Sequence, residues 1–102
     1  MDLVAAEKIK EFCIRQPTAR IVVERWERLM QQLAPANYNE LRAVFGSADY
    51  AAPFTIFNTG GNRYRIVVIM DYVKARAMVH AVMTHSEYDK WSRLYRQGKV
   101  KQ

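Results

Sequence analysis

The chain predicts an α+β fold, with N-terminal helices packed on one face of a small antiparallel sheet and a further helix at the C-terminus. Three observations carry this. Residues 5–45 place apolar side chains at helical spacing. Residues 54–83 read instead as short β-branched and aromatic runs divided by turn residues. From Thr84, "THSEYDKWSRLYRQG" returns to the helical period.

Asp2 is placed to cap a first helix carrying Ala5, Ile9, Phe12 and Cys13, which Gln16-Pro17-Thr18 interrupts. A second helix runs to about Leu33, its apolar stripe made of Val22, Trp26, Leu29, Met30 and Leu33. Arg20, Glu24, Glu27 and Arg28 line the other face, as on an ordinary solvated surface. Ala34-Pro35-Ala36 ends it, and Asn37-Tyr38-Asn39-Glu40 resembles a capping box opening a short helix that Gly46-Ser47 stops. Strands are expected over 54–57, 63–72 and 77–83, with turns at 59–62 and 73–76. Thr84 and Glu87 form a second capping box, Tyr88, Trp91 and Tyr95 a stripe, and Gly98 a C-terminal stop.

At 102 residues the chain can bury one core as a single domain, and a hydrophobic half with a charged quarter suits folding rather than disorder. No run is long enough to span a membrane, and the N-terminus lacks a signal-peptide pattern. Cys13 is the single cysteine, so no internal disulfide can form; it reads as a small buried hydrophobe on a helix. These features fit a cytoplasmic protein without membrane contact. Charge is unevenly spread: residues 1–45 hold seven Lys/Arg against six Asp/Glu, and residues 46–102 nine against four. With a formal net charge of +6, a polyanion such as RNA is the expected partner.

The stretch "FNTGGNRYRIVVI", residues 57–69, carries the first chemical signal. Gly60 and Gly61 supply positive φ for a hairpin. On the strand that follows, alternation puts Tyr64, Ile66, Val68 and Met70 against the helices. Arg63, Arg65, Val67 and Ile69 then face the other way, so both arginines are expected together on an accessible face. His80 follows on the third strand, and His85 stands where that strand enters the last helix, one turn before Tyr88.

There is no CxxC, HExxH or acidic cluster, and no P-loop or dinucleotide fingerprint, so neither a metal nor a cofactor is expected. Arginine, histidine and tyrosine suffice for one reaction without them. A base takes the proton of an RNA 2′-hydroxyl, which attacks the adjacent phosphate; a cation steadies the charge and an acid protonates the leaving oxygen. The same residue types would also bind phosphate passively. Two function classes therefore stay open on the residues alone, an endoribonuclease and a non-catalytic RNA- or protein-binding module.

"LRAVFGSADY" (41–50), "FNTGGNRYRIVVIMDY" (57–72) and "MTHSEYDKW" (83–91) resemble, in order and spacing, the HigB-type toxins of bacterial type II toxin–antitoxin systems, which are small RelE-like proteins. The likeness is close over 41–90 and looser over the N-terminal helices. It implies an mRNA interferase that cuts transcripts on translating ribosomes. It also implies a HigA-type helix-turn-helix antitoxin as partner, with operator DNA reached only through that antitoxin. Family motif positions fall on Asn62, Tyr64, Arg65, His85, Tyr88 and Asp89. Within that set Arg65 is expected to hold the scissile phosphate, His85 to exchange the proton and Tyr88 to assist or stack on a base. Tyr64 is expected in the core, and Asp89 to be structural or to orient a neighbour. His80, which stands where relatives often carry arginine or lysine, is the other catalytic candidate. Asn62, Arg63, Lys90, Arg93, Arg96 and Lys99 are the expected RNA- and ribosome-binding residues, since 90–102 contain no acid.

Overall fold

A computed structural model describes residues 1–101. The chain runs β1 (Asp2–Val4), α1 (Glu7–Arg15), a 3-10 turn (Pro17–Ala19), α2 (Arg20–Gln32), α3 (Tyr38–Val44), β2 (Asp49–Ala51), β3 (Phe54–Thr59), β4 (Tyr64–Asp71), β5 (Arg76–Thr84) and α4 (His85–Arg96). The strands form one sheet in the order β1-β5-β4-β3-β2. The α+β class stands, but the sheet is mixed rather than antiparallel, because β1 pairs with β5 in parallel.

The N-terminus departs from what the sequence predicts. Asp2 caps no helix: its backbone N–H donates to the Ala75 carbonyl (2.9 Å), and it opens β1. Ala5, at φ 61°, then turns the chain into α1, whose cap residue Ala6 makes no side-chain bond. Three residues carry no periodicity, so β1 is set by what lies beside it. The edge of β5 offers unpaired backbone groups, and the Met1 nitrogen is held by the Met30 carbonyl (2.9 Å) at the end of α2. β2 is illegible in the sequence for the same reason; it is three residues long and exists by pairing with β3.

The helices do not all share one face. Ile9 and Phe12 of α1, Val23, Trp26 and Met30 of α2, and Leu41 of α3 pack on Phe57, Tyr64, Ile66, Val68, Val79 and Val82. Tyr88, Trp91 and Tyr95 of α4 pack on the other face, against Phe54, Ile56, Val67 and Met83. The alternation expected along β4 is observed, but the second face is partly roofed by α4 rather than open. Aromatic edges make both contacts, as in Trp26 against Phe57 (ring centroids 5.2 Å) and Trp91 against Phe54 (5.2 Å).

β5 changes parity midway. Val68 pairs with Val79 and Val67 with Ala81, leaving His80 as an extra residue in a bulge. Val79 and Val82 therefore share the α1–α2 face, while Ala81 and Met83 share the α4 face. Without the bulge, the end of β5 would deliver α4 with the wrong side toward the sheet. The pairing of β1 with β5 stops at Met78, and α1 lies beside the rest of the strand, with Lys8 Nζ donating to the bulged His80 carbonyl (3.0 Å). No helix is long and apolar enough to cross a membrane, among the described residues.

Candidate active site

The β3–β4 turn builds one wall. Gly60, Gly61 and Asn62 all adopt positive φ (62°, 62° and 76°), a run that only glycine and asparagine tolerate readily. This conformation aims both oxygens of Asn62 back at the start of β4. Its carbonyl accepts from Arg65 Nη1 (2.8 Å) and its Oδ1 from Nη2 (2.7 Å). Nη1 also donates to the Tyr64 carbonyl (3.3 Å).

The first turn of α4 builds the other wall. Thr84 caps it with the expected box: its Oγ1 accepts from Glu87 N–H (3.3 Å), and Glu87 Oε1 accepts from Thr84 N–H (2.9 Å). His85 N–H, an orphan donor of the helix start, donates to the Arg63 carbonyl (2.9 Å). Turn and helix are thereby tied together at the point where two side chains meet. Arg65 Nη2 lies 3.2 Å from His85 Nδ1, and the guanidinium carbon sits 5.3 Å from the centre of the Tyr88 ring.

Arg65, expected to be accessible, is only 7% exposed. Its partners are carbonyl, amide and imidazole acceptors; among the described residues no carboxylate comes within ion-pair distance of it. Asn58, directly across from it on β3, has a buried Oδ1 with no hydrogen-bond partner among the described residues. Sequence reasoning missed Asn58; pairing the strands across the glycine turn is the signal that finds it.

His85 is exposed, and its Nε2 lies 3.6 Å from Asp89 Oδ2, one turn along. A guanidinium can only donate, so in the neutral ring the contact with Arg65 assigns the lone pair to Nδ1 and the proton to Nε2, on the side of Asp89. Burial raises the Tyr88 phenol above its ordinary value, and the nearby Arg65 charge opposes that shift. Tyr88 is therefore a proton donor rather than a phenolate near neutrality.

Arg63 does not share a face with Arg65. It precedes β4, is exposed, donates from Nε to the Gly60 carbonyl (3.2 Å) and lies over the Tyr64 ring on the α1–α2 side. His80 stands in the aromatic cluster with Phe54 (4.7 Å) and Trp91 (6.2 Å), where burial and then the Lys8 charge lower its pKa. Lys90, Arg93, Arg96 and Lys99 are all exposed. By the helical period Arg96 continues the flank of His85, Asp89 and Ser92, and its Nη1 donates to Ser92 Oγ (3.2 Å). Lys90 and Arg93 lie farther round the outer side of α4. Among the described residues no group of three or more His, Cys, Asp or Glu side chains converges.

The chain is similar to the mRNA interferase HigB of Escherichia coli O6:H1, 24% identical across 102 aligned residues that cover 97% of this chain and 99% of the relative. It is also similar to the mRNA interferase toxin HigB of Escherichia coli K12, 37% identical over 59 residues that cover 55% of this chain and 57% of the relative. A Shigella flexneri mRNA interferase HigB matches to the same extent. The HigB toxin family, described as the RelE-like toxic component of a toxin–antitoxin system, matches residues 19–91. That span holds the glycine turn, Arg65, His80, the Thr84 cap, His85 and Tyr88, and the chain belongs to this toxin family.

Proposed function

We propose that this toxin is a ribosome-dependent mRNA endoribonuclease that cuts by attack of an RNA 2′-hydroxyl on the adjacent phosphate, without a metal. The observation that carries the proposal is the buried Arg65 guanidinium with neutral acceptors around it and no carboxylate to balance it. An uncompensated buried cation is costly, and a phosphate supplies the missing charge through charge-assisted bonds. Arg65 then stabilises the charge that develops on phosphorus, His85 exchanges the proton, and Tyr88 offers its hydroxyl to the leaving oxygen. His80, neutral in an aromatic cluster, supports the sheet beneath α4. The curated relatives' own names, mRNA interferases, support the same activity.

Partners follow from surface chemistry and family. Lys90, Arg93, Arg96 and Lys99 on α4, with Asn62 and Arg63 at the turn, give the cation-rich surface that mRNA and the ribosome require. A HigA-type helix-turn-helix antitoxin restrains the toxin in the cytoplasm and is its only route to operator DNA.

The test uses purified toxin, translating ribosomes and a defined transcript. Cleavage is expected only on ribosomes, and to leave a 2′,3′-cyclic phosphate and a 5′-hydroxyl. His85→Ala should lower the rate about a hundredfold or more, and Tyr88→Phe should lose part of it. Co-expression of the antitoxin should relieve growth arrest. Ribosome binding with every transcript left intact would instead establish the binding module.

A further inference from the structure

Asp89 has no part in the reaction described so far, yet its position decides which nitrogen of His85 can act. Both ring nitrogens already have neighbours of fixed character. Nδ1 faces Arg65 Nη2 at 3.2 Å, a group that can only donate. Nε2 faces Asp89 Oδ2 at 3.6 Å, a group that as a carboxylate can only accept. The two constraints agree. A proton on Nδ1 would set N–H against N–H at Arg65 and a lone pair toward the carboxylate. A proton on Nε2 lets Nδ1 accept from Arg65 and turns the N–H toward Asp89, which at 3.6 Å acts as an electrostatic neighbour just beyond hydrogen-bond distance.

The geometry points to a His85–Asp89 dyad in which Asp89 is a positioning residue, holding the proton on Nε2 so that Nδ1 is the atom that accepts the 2′-hydroxyl proton. This rests on the proposed ribonuclease reading. It adds the identity of the basic nitrogen and the residue that selects it. Asp89 lies one helical turn from His85, within reach of its ring, and its side chain is 54% exposed, so the carboxylate costs the core nothing.

In the resting state Nδ1 is occupied by Arg65. An RNA phosphate arriving at Arg65 is a charged acceptor and competes well against a neutral imidazole nitrogen for the Nη2 donor. The phosphate thereby frees the lone pair of Nδ1 as it brings the ribose beside it. The 2′-O–H bond then breaks, and its proton passes to Nδ1. The 2′-oxygen bonds to phosphorus, the bond to the 5′-oxygen breaks, and that oxygen takes a proton from Tyr88 or water. The imidazolium left behind keeps Nε2–H against the Asp89 carboxylate, which stabilises it in place.

Two measurements on the full chain test this. The first is ¹⁵N NMR of the His85 ring in the free protein and with a 2′-O-methyl oligonucleotide that cannot be cut. The Nε2-protonated tautomer is expected in the free protein, with the Nδ1 resonance moving when the oligonucleotide binds. A ring protonated on Nδ1 in the neutral free protein would overturn the assignment. The second is cleavage by Asp89→Asn, Asp89→Glu and His85→Ala on translating ribosomes. Asp89→Asn should lose roughly tenfold or more in kcat with KM unchanged, and Asp89→Glu should recover part of it. Full kcat in Asp89→Asn, with His85→Ala inactive, sinks the positioning role alone. Wild-type cleavage by His85→Ala instead removes His85 from the reaction and with it the underlying reading.

Discussion

Arg15, at the end of α1, and Glu87, in the first turn of α4, form a two-point ion pair (2.9 and 3.3 Å) that fastens the two helical layers around the edge of β5. Glu87 also accepts the Thr84 N–H, and that bond first, with Arg15 adding, holds its carboxyl below the usual range. Both side chains are substantially exposed, at 51% and 40%. Arg15→Ala should therefore cost only about 0.5 kcal/mol, and Glu87→Ala, which also removes half the capping box, about 1 kcal/mol or some 4 °C in Tm. A depressed carboxyl contributes stability above its unfolded pKa and loses it as pH falls through the folded value. Thermal melts below about pH 4.5 should accordingly fall less steeply for Glu87→Gln than for the wild type.

The two turn glycines should respond differently. A Cβ on Gly60 would meet the Tyr64 ring at 2.9 and 3.1 Å and Val22 at 3.2 Å, while one on Gly61 would meet open space. Both have φ of 62°. Gly61→Ala should cost only the left-handed strain, about 1 kcal/mol, and Gly60→Ala distinctly more because Tyr64 must shift. Denaturant midpoints measure the difference. Equal losses would show that Tyr64 yields freely.

His80 should make the protein acid-sensitive well above the carboxylate range. Its burial, and next the Lys8 charge, lower its pKa in the fold. Between the unfolded value near 6.5 and the lower folded value, the unfolded chain binds more protons. Stability is thus complete above about pH 6.5 and declines as pH falls toward the folded value. His80→Phe, which keeps a ring against Phe54 and Trp91, should flatten Tm between pH 7 and 5.5. An unchanged slope would assign the loss to another group.

Binding through the α4 cations should be strongly salt-dependent. Arg93→Gln, Arg96→Gln and Lys99→Gln combined should lower the salt slope of ribosome or RNA binding by about 2, with Tm little changed. A slope equal to that of the wild type would confine these residues to balancing the helix dipole.

The Thr84–Glu87 box, the glycine turn, the facing of Tyr64, Ile66 and Val68 and the stripe of Tyr88, Trp91 and Tyr95 are all legible along the chain, being local matters of spacing and backbone preference. They place Arg65 at the start of β4 and His85 at the start of α4, which is most of the candidate site. β1 and β2, by contrast, are too short to carry a period and form because a neighbouring edge is free. The bulge at His80 arises from the register between β4 and β5, which no single segment contains. The burial of Arg65 belongs to the same class. Alternation correctly sent it away from the α1–α2 core, but α4 roofs that second face and Asn62 folds back over the guanidinium. The turn, the helix cap and the alternation along β4 are written in the amino-acid order, because they depend on neighbours a few positions away. That Arg65 is a held cation against Nδ1 of His85 is a product of the folded chain, because that contact joins residues twenty positions apart across a turn, a strand pair and a helix cap.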